Sequence, residues 1–237
     1  MYLAPRMFAL TLLAATLLST AVHAEEHDAI KPVPRDATWM KQHDAMNTRV
    51  KEGNVDLVFI GDSITQGWEG SGKGVWKKFY GERNAVNLGI GGDRTQHVIW
   101  RLDNGNLEGI SPKLAVIMIG TNNSGSNTPE QIAEGITVIV DQLKKKTPQT
   151  KILVLGVFPR GETPEDPRRQ VTEKTNAIVS KLADDEHVFY LDIGKSFLQD
   201  DGTLSREIMP DLLHLSEKGY TIWAESIEPQ VAKLLSE

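Results

Sequence analysis

The amino-acid sequence predicts an α/β protein, a three-layer α/β/α sandwich built on a parallel sheet. Three observations lead there. Short apolar runs rich in Val, Ile and Leu, with little alternation, recur at Val55 to Ile60, Ala85 to Leu88, Leu114 to Ile119, Lys151 to Gly156 and Val188 to Leu191. Such runs suit strands buried on both faces of a sheet. Segments of helical periodicity separate them, so strand and helix alternate as right-handed βαβ units require. Directly after the strands come Gly61-Asp62-Ser63, Gly89-Ile90-Gly91-Gly92-Asp93, Gly120-Thr121-Asn122-Asn123 and Phe158-Pro159-Arg160. Glycines and polar groups thus gather at the carboxyl edge, where open parallel sheets bind their ligands.

Along the chain, the first 24 residues read as an export signal: Arg6, an apolar stretch from Met7 to Leu18, and the small-residue site Val22-His23-Ala24, with cleavage expected after Ala24. The apolar run is shorter than the roughly 20 residues that span a bilayer, and no later run is longer, so no stable membrane insertion is expected. Residues 25–237 form one domain, exported to the periplasm or secreted. After a Pro-containing lead (Lys31-Pro32-Val33-Pro34), a helix from about Asp36 to Lys51 precedes the first strand. Further helices are expected over Thr95 to Leu102, Pro129 to Lys146, Pro167 to Ala183 and Ser216 to Leu235. Pro129 stands where a first-turn proline is tolerated, with Thr128 as its N-cap. The basic run Lys144-Lys145-Lys146 closes that helix, where cations complement the carbonyl end of the macrodipole.

Composition narrows the chemistry. The 237 residues are 40% hydrophobic and 24% charged, the profile of a folded domain. At this length one core buries roughly 70% of the unfolded surface, without help from disulfides or metal. The net charge of −6 and the scattered Lys and Arg argue against a nucleic-acid partner. There is no cysteine, which excludes thiol catalysis and zinc-thiolate sites and leaves serine, carboxylate and histidine chemistry. A dinucleotide fingerprint would need glycine at position 94, which is Arg94, and no Gly-x-Ser-x-Gly elbow, Walker A loop or His-Glu-x-x-His motif occurs. A hydrolase with no cofactor and no metal is the expectation.

Such an enzyme needs a nucleophile, a base, a group to orient the base, and donors for an oxyanion. Ser63 stands at a strand-to-helix turn, where backbone N–H groups point toward developing charge; taken alone, a serine there commonly caps a helix. His214, in Asp211-Leu212-Leu213-His214, is the best base, since Asp and His three apart on a turn can face each other and fix the imidazole tautomer. His27, His43, His97 and His187 lack such a context and read as surface or structural. Gly92 and Asn122 are the oxyanion candidates, one through its backbone N–H and the other through its amide. Asp62 and Asp192 are rival acids ranked below Asp211, with loop bracing and helix capping as their plainer roles. Ile64 and Leu213 would form a shallow apolar floor that binds substrate. Asn122-Asn123-Ser124 matches the glycosylation sequon by accident.

At these residues the chain resembles the SGNH, or GDSL-type, hydrolases: Gly61-Asp62-Ser63-Ile64-Thr65, then Gly92, then Gly120-Thr121-Asn122, then Asp211-x-x-His214, in family order. Within that superfamily it is most similar to the catalytic subunits of intracellular-type platelet-activating-factor acetylhydrolase. That similarity extends over Asn87 to Asp93, Trp100-Arg101-Leu102 and Leu155 to Gly161. The resemblance implies a flavodoxin-like five-stranded sheet, Ser63 as nucleophile, His214 as base, Asp211 as its partner, and an oxyanion hole of the Ser63 and Gly92 N–H groups plus the Asn122 amide. The expected function is hydrolysis of short-chain, chiefly acetyl, esters of a small molecule or carbohydrate through an acyl-Ser63 intermediate. A lysophospholipase or long-chain lipase is the alternative among hydrolases, and a non-catalytic carbohydrate-binding protein the alternative outside them.

Overall fold

A computed structural model of the protein describes residues 27–236; the expected signal peptide, residues 1–24, lies outside the described residues. Five parallel strands, β1 (Leu57–Gly61), β2 (Ala85–Gly89), β3 (Leu114–Met118), β4 (Lys151–Leu155) and β5 (Val188–Leu191), form one sheet in the order β2-β1-β3-β4-β5. This is the expected three-layer architecture, with the chain order reversing between β1 and β3. Successive side chains of a strand face opposite ways. Val58 and Ile60 accordingly join one core with Ile117 and Val154, while Leu57 and Phe59 join the other with Val116 and Leu155.

Helices α1 (Ala37–Lys51), α4 (Thr95–Asp103), α5 (Pro129–Lys146) and α6 (Pro167–Val179) cover the first face. The second is covered by α3 (Lys73–Tyr80) and α7 (Glu217–Ser236), around an aromatic cluster of Phe59, Trp68, Tyr80, Tyr220 and Trp223. Burial of a fully apolar ring such as Phe59 contributes about 1.5–3 kcal/mol relative to exposure. Thr128 caps α5 as expected, in a reciprocal box with Gln131. At the other end Lys144 and Lys146 reach Asp184 and Asp103.

Element ends differ from expectation for local reasons. Strand β1 starts at Leu57 rather than Val55 because Asn54 turns the chain at φ 52°. Helix α6 ends at Val179 and tightens into a 3₁₀ turn, Ser180–Leu182, before the expected Ala183. The helix expected to start at Ser63 is α2 (Ser63–Gln66), of a single turn, whereas the eight-residue α3 was not expected. Neither is long enough for its apolar period to stand out.

Helix α2 sits hard against the strand ends, and two glycines permit it. A Cβ on Gly61 would collide with the Met118 carbonyl and the Thr65 hydroxyl. One on Gly89 would run into the Gln66 nitrogen and lie 2.7 Å from the Thr65 carbonyl carbon. These neighbours are largely backbone and cannot swing aside. We therefore expect Gly89→Ala to destabilise the protein by about 3 kcal/mol or more, near the upper end of overpacking costs. Urea unfolding, read as a lowered midpoint at constant slope, measures it.

Candidate active site

The carboxyl edge of the sheet gathers three loops. The first follows β1, where Asp62 is wholly buried and its Oδ1 accepts the Ile64 N–H at 3.0 Å, capping α2. That cap places Ser63 in the first turn, half-buried, with its side chain outward and its N–H without a partner among the described residues. Ile64 turns the other way: it is 1% exposed and packs in the core beside Trp68. The reading of Ile64 as substrate floor is thus corrected. A one-turn helix sends adjacent side chains about 100° apart, so neighbours in sequence are not neighbours in the site. The Ile64 carbonyl accepts from Tyr220 Oη at 2.6 Å, which ties α2 to the last helix.

The second loop follows β2. Gly92 adopts φ 76°, a left-handed conformation that suits glycine, and its N–H is free of partners among the described residues. Around it the loop is held from every side. The Gly91 N–H donates to Gln66 Oε1 at 2.9 Å, and the Gly91 carbonyl accepts from Arg35 at 2.7 Å. Asp93, wholly buried, accepts at Oδ1 from Trp39 Nε1 (2.7 Å) and Arg35 (3.2 Å), and at Oδ2 from Arg101 Nε (2.9 Å). Arg101 is itself wholly buried and reaches on to the Gly61 carbonyl and Asn106. Removing one partner of a buried pair of this kind costs about 3–5 kcal/mol, because the other charge is stranded.

The third loop follows β3. Asn122 Nδ2 donates to the Asp93 carbonyl at 2.9 Å, which spends one amide hydrogen and leaves the second unpartnered among the described residues, next to Gly92. Asn123 is buried and braces Thr95, Gln96 and Asn127, a structural part that its place after Asn122 did not announce.

The candidate base comes from far along the chain. His214 Nε2 lies 2.9 Å from Ser63 Oγ, and His214 Nδ1 lies 2.6 Å from Asp211 Oδ2. Asp211 Oδ1 also accepts the Leu213 and His214 N–H groups, so the carboxylate shapes its own turn. Burial acts to raise its pKa, but the hydrogen bonds from His214 outweigh it and hold the carboxyl below its ordinary value. With the proton on Nδ1 facing Asp211, Nε2 is the acceptor that faces the serine hydroxyl. Leu212 stands at φ 63°, unusual for a branched residue, and is held by Leu212 N–H to Met209 O and by Gly161 N–H to Leu212 O. Leu213 is half-buried against the core. The His214 and Asp211 side chains are 45% and 55% exposed, so the site opens to solvent.

The other candidates fall elsewhere. Asp192 contacts Gly194, Asn176 and Tyr190, not His214. His97 accepts the Arg94 N–H in a capping box, and burial lowers its pKa to about 4. His43 is buried and stacks on Trp39, while His27 meets Glu134 and His187 the Pro148 carbonyl. A cavity of about 560 Å³ lies beyond Gln66, between α1, α3 and β2, and neither Ser63 nor His214 lines it.

Residues 59–222 match the GDSL-like lipase/acylhydrolase family. The chain belongs to that family. It is 39% identical over 219 residues to human platelet-activating factor acetylhydrolase IB subunit alpha1, covering 90% of this chain and 93% of the relative. Among solved structures, a GDSL-like lipase from Bacteroides thetaiotaomicron superposes with TM-score 0.62 at 20% identity, over 81% of this chain and 97% of that one. An acetylxylan esterase from Geobacillus stearothermophilus, in a catalytic-mutant form, gives 0.61 at 19% identity, over 76% and 94%. The two structures show the shared fold. A member of the GDSL family with the close similarity to the acetylhydrolase subunit is a carboxylic ester hydrolase.

One acid of this GDSL site carries a pH signature. Burial, then the Asp93 charge, pushes the Asp62 pKa up to about 7 against the pull of the Ile64 N–H, and Asp62 Oδ2 has no partner among the described residues. Between the ordinary carboxylate pKa and 7 the native state binds the extra proton, so stability falls as pH rises through that window. Asp62→Asn keeps the cap acceptor without the charge. Its Tm relative to the parent should therefore rise from pH 4 to pH 8; a difference that is flat across the window refutes the assignment.

Proposed function

We propose that the protein hydrolyses short-chain carboxylic esters, chiefly acetyl esters, through an acyl-Ser63 intermediate, with His214 as base and Asp211 as its orienting acid. The observation that carries this reading is the unbroken relay from Ser63 Oγ to His214 Nε2 at 2.9 Å and from Nδ1 to Asp211 at 2.6 Å. Ser63 Oγ attacks the ester carbonyl while its proton passes to Nε2; the imidazolium is stabilised by the Asp211 carboxylate. The tetrahedral oxyanion takes hydrogen bonds from the N–H groups of Ser63 and Gly92 and from the second N–H of Asn122. The bond to the leaving oxygen then breaks and that oxygen takes the proton from Nε2. Water repeats the sequence on the acyl enzyme and frees the acid.

Two considerations favour a small acyl group. The relative at 39% identity is named an acetylhydrolase, and the roomy cavity that a long chain would need lies on the far side of Gln66 from the serine. The open flank at His214 suits a bulky alcohol such as a polysaccharide hydroxyl, and an acetylxylan esterase shares the fold. With the export signal read in residues 1–24, we take the natural substrate as carbohydrate acetate met in the periplasm or outside the cell.

A fluorophosphonate should label the parent enzyme and not Ser63→Ala, and turnover on an ester panel should be highest for acetyl and fall as the acyl chain lengthens. No labelling sinks the mechanism; a maximum at long chains sinks the acyl preference. Asn122→Ala should lower kcat by roughly 10² to 10³ as one oxyanion donor of three, and unchanged kcat would remove Asn122 from the hole.

A further inference from the structure

Arginines in this protein are mostly neutralised. Arg35, Arg83, Arg94, Arg101 and Arg169 each face a carboxylate within 4.0 Å. Two at the rim of the site are not. Arg160 stands on the loop after β4, half-buried, where its Nη1 donates to the Thr121 carbonyl at 3.2 Å and to the Thr121 hydroxyl at 3.1 Å. Its Nε and Nη2 take no protein partner among the described residues. Thr121 adjoins Asn122, and the next residue after Arg160 is bonded to the His214 turn through Gly161 N–H and Leu212 O at 2.9 Å. Arg160 is thereby wedged between the loop that carries the oxyanion amide and the loop that carries the base.

Arg168, in the first turn of α6, flanks the same β3 loop. Its Nε lies 3.5 Å from where a Cβ on Gly125 would sit, and its guanidinium has no hydrogen-bond or ion-pair partner among the described residues. The carboxylates that act on Arg160 are already engaged: Asp166 caps α6 through the Arg168 and Arg169 N–H groups, Asp62 caps α2, and Asp211 holds His214. Burial, followed by the charge of Arg168, holds the Arg160 pKa below its ordinary value against the pull of Asp166, Asp62 and Asp211.

We propose that Arg160 and Arg168 form an anion subsite beside the Ser63–His214 centre, and that the preferred esters carry a carboxylate or phosphate near the acylated oxygen. The subsite rests on the esterase reading above and narrows its substrate to anionic acetates, such as those of acidic sugars or phosphorylated polyols. A guanidinium with one edge fixed on Thr121 offers its other nitrogens in a set orientation, which matches the paired oxygens of either anion.

The test compares kcat/KM within two pairs, acetylated at the same hydroxyl: 4-acetoxybenzoate against 4-acetoxybenzamide, and acetyl glycerol 3-phosphate against acetyl glycerol. The parent enzyme should favour the anionic member of at least one pair by roughly ten-fold or more, the scale of a hydrogen bond to a charged group. The pair that discriminates identifies the anion. The preference should shrink in added salt. Arg160→Gln and the exposed Arg168→Ala should each pull the anionic-to-neutral ratio toward one; Arg168→Ala keeps the test sound if loss of the Thr121 contact unfolds the first variant. A parent ratio near or below one, with neutral esters still hydrolysed, overturns the subsite and leaves the esterase reading intact. A preference that survives both substitutions also overturns it. A parent enzyme that hydrolyses no member of either pair defeats both readings.

Discussion

The loops after β1, β2 and β3 hang together on the buried carboxylate of Asp93. Its two oxygens take donors from the N-terminal segment (Arg35), from α1 (Trp39) and from α4 (Arg101), and its backbone carbonyl takes Asn122. Arg101 extends the same network to the end of β1 through the Gly61 carbonyl. One residue thus sets the mutual positions of the loops after β1, β2 and β3. A buried ion pair of this kind is a poor source of net stability, because desolvation offsets most of the attraction. Its return is geometric: the backbone around Gly92 has few other places to go.

The same economy explains why Gly61 and Gly89 are bare of side chains. The first turn of α2 must approach the strand ends closely for Ser63 to share an edge with Gly92, and the backbone of Thr65 and Gln66 occupies the space a Cβ would need. Asp62 then contributes to the cap even though it is costly to bury, since its Oδ1 replaces water at the Ile64 N–H while Oδ2 finds no partner among the described residues. The site holds the left-handed Leu212 of the His214 turn and the unpartnered Asp62 Oδ2, while the second core beneath buries Trp68, Tyr80 and Trp223 with no partner for their polar atoms among the described residues.

Most of the scaffold could be read from the residues. The uninterrupted apolar runs became the five strands within a residue or two, and Thr128-Pro129 marked the start of α5 because capping chemistry is local. Ser63, Gly92, Asn122, Asp211 and His214 were nominated by type and order, and the fold brings them to one edge. Asp62 proved to brace its loop, the plainer of its two expected roles. What the sequence concealed was direction. Ile64 adjoins the serine in sequence yet faces the core, a fact fixed by one short turn too brief to show a period. The Asp93 network joins residues up to 58 positions apart, and no local pattern announces such partners. Arg160 was placed at the carboxyl edge by its position after a strand, but its pairing with Arg168 was not legible, since an arginine without a carboxylate looks no different in sequence from one that has it.

The hydroxyl of Tyr220, bonded to the Ile64 carbonyl at 2.6 Å, has a bearing on biogenesis. The serine and its base are 151 residues apart, and the helix that begins with the serine is pinned by the last helix of the chain. On the proposed mechanism, Ser63 therefore has neither its base nor the Tyr220 anchor of its helix until α7 has docked. On that mechanism, turnover during refolding should begin only once α7 has docked on α2.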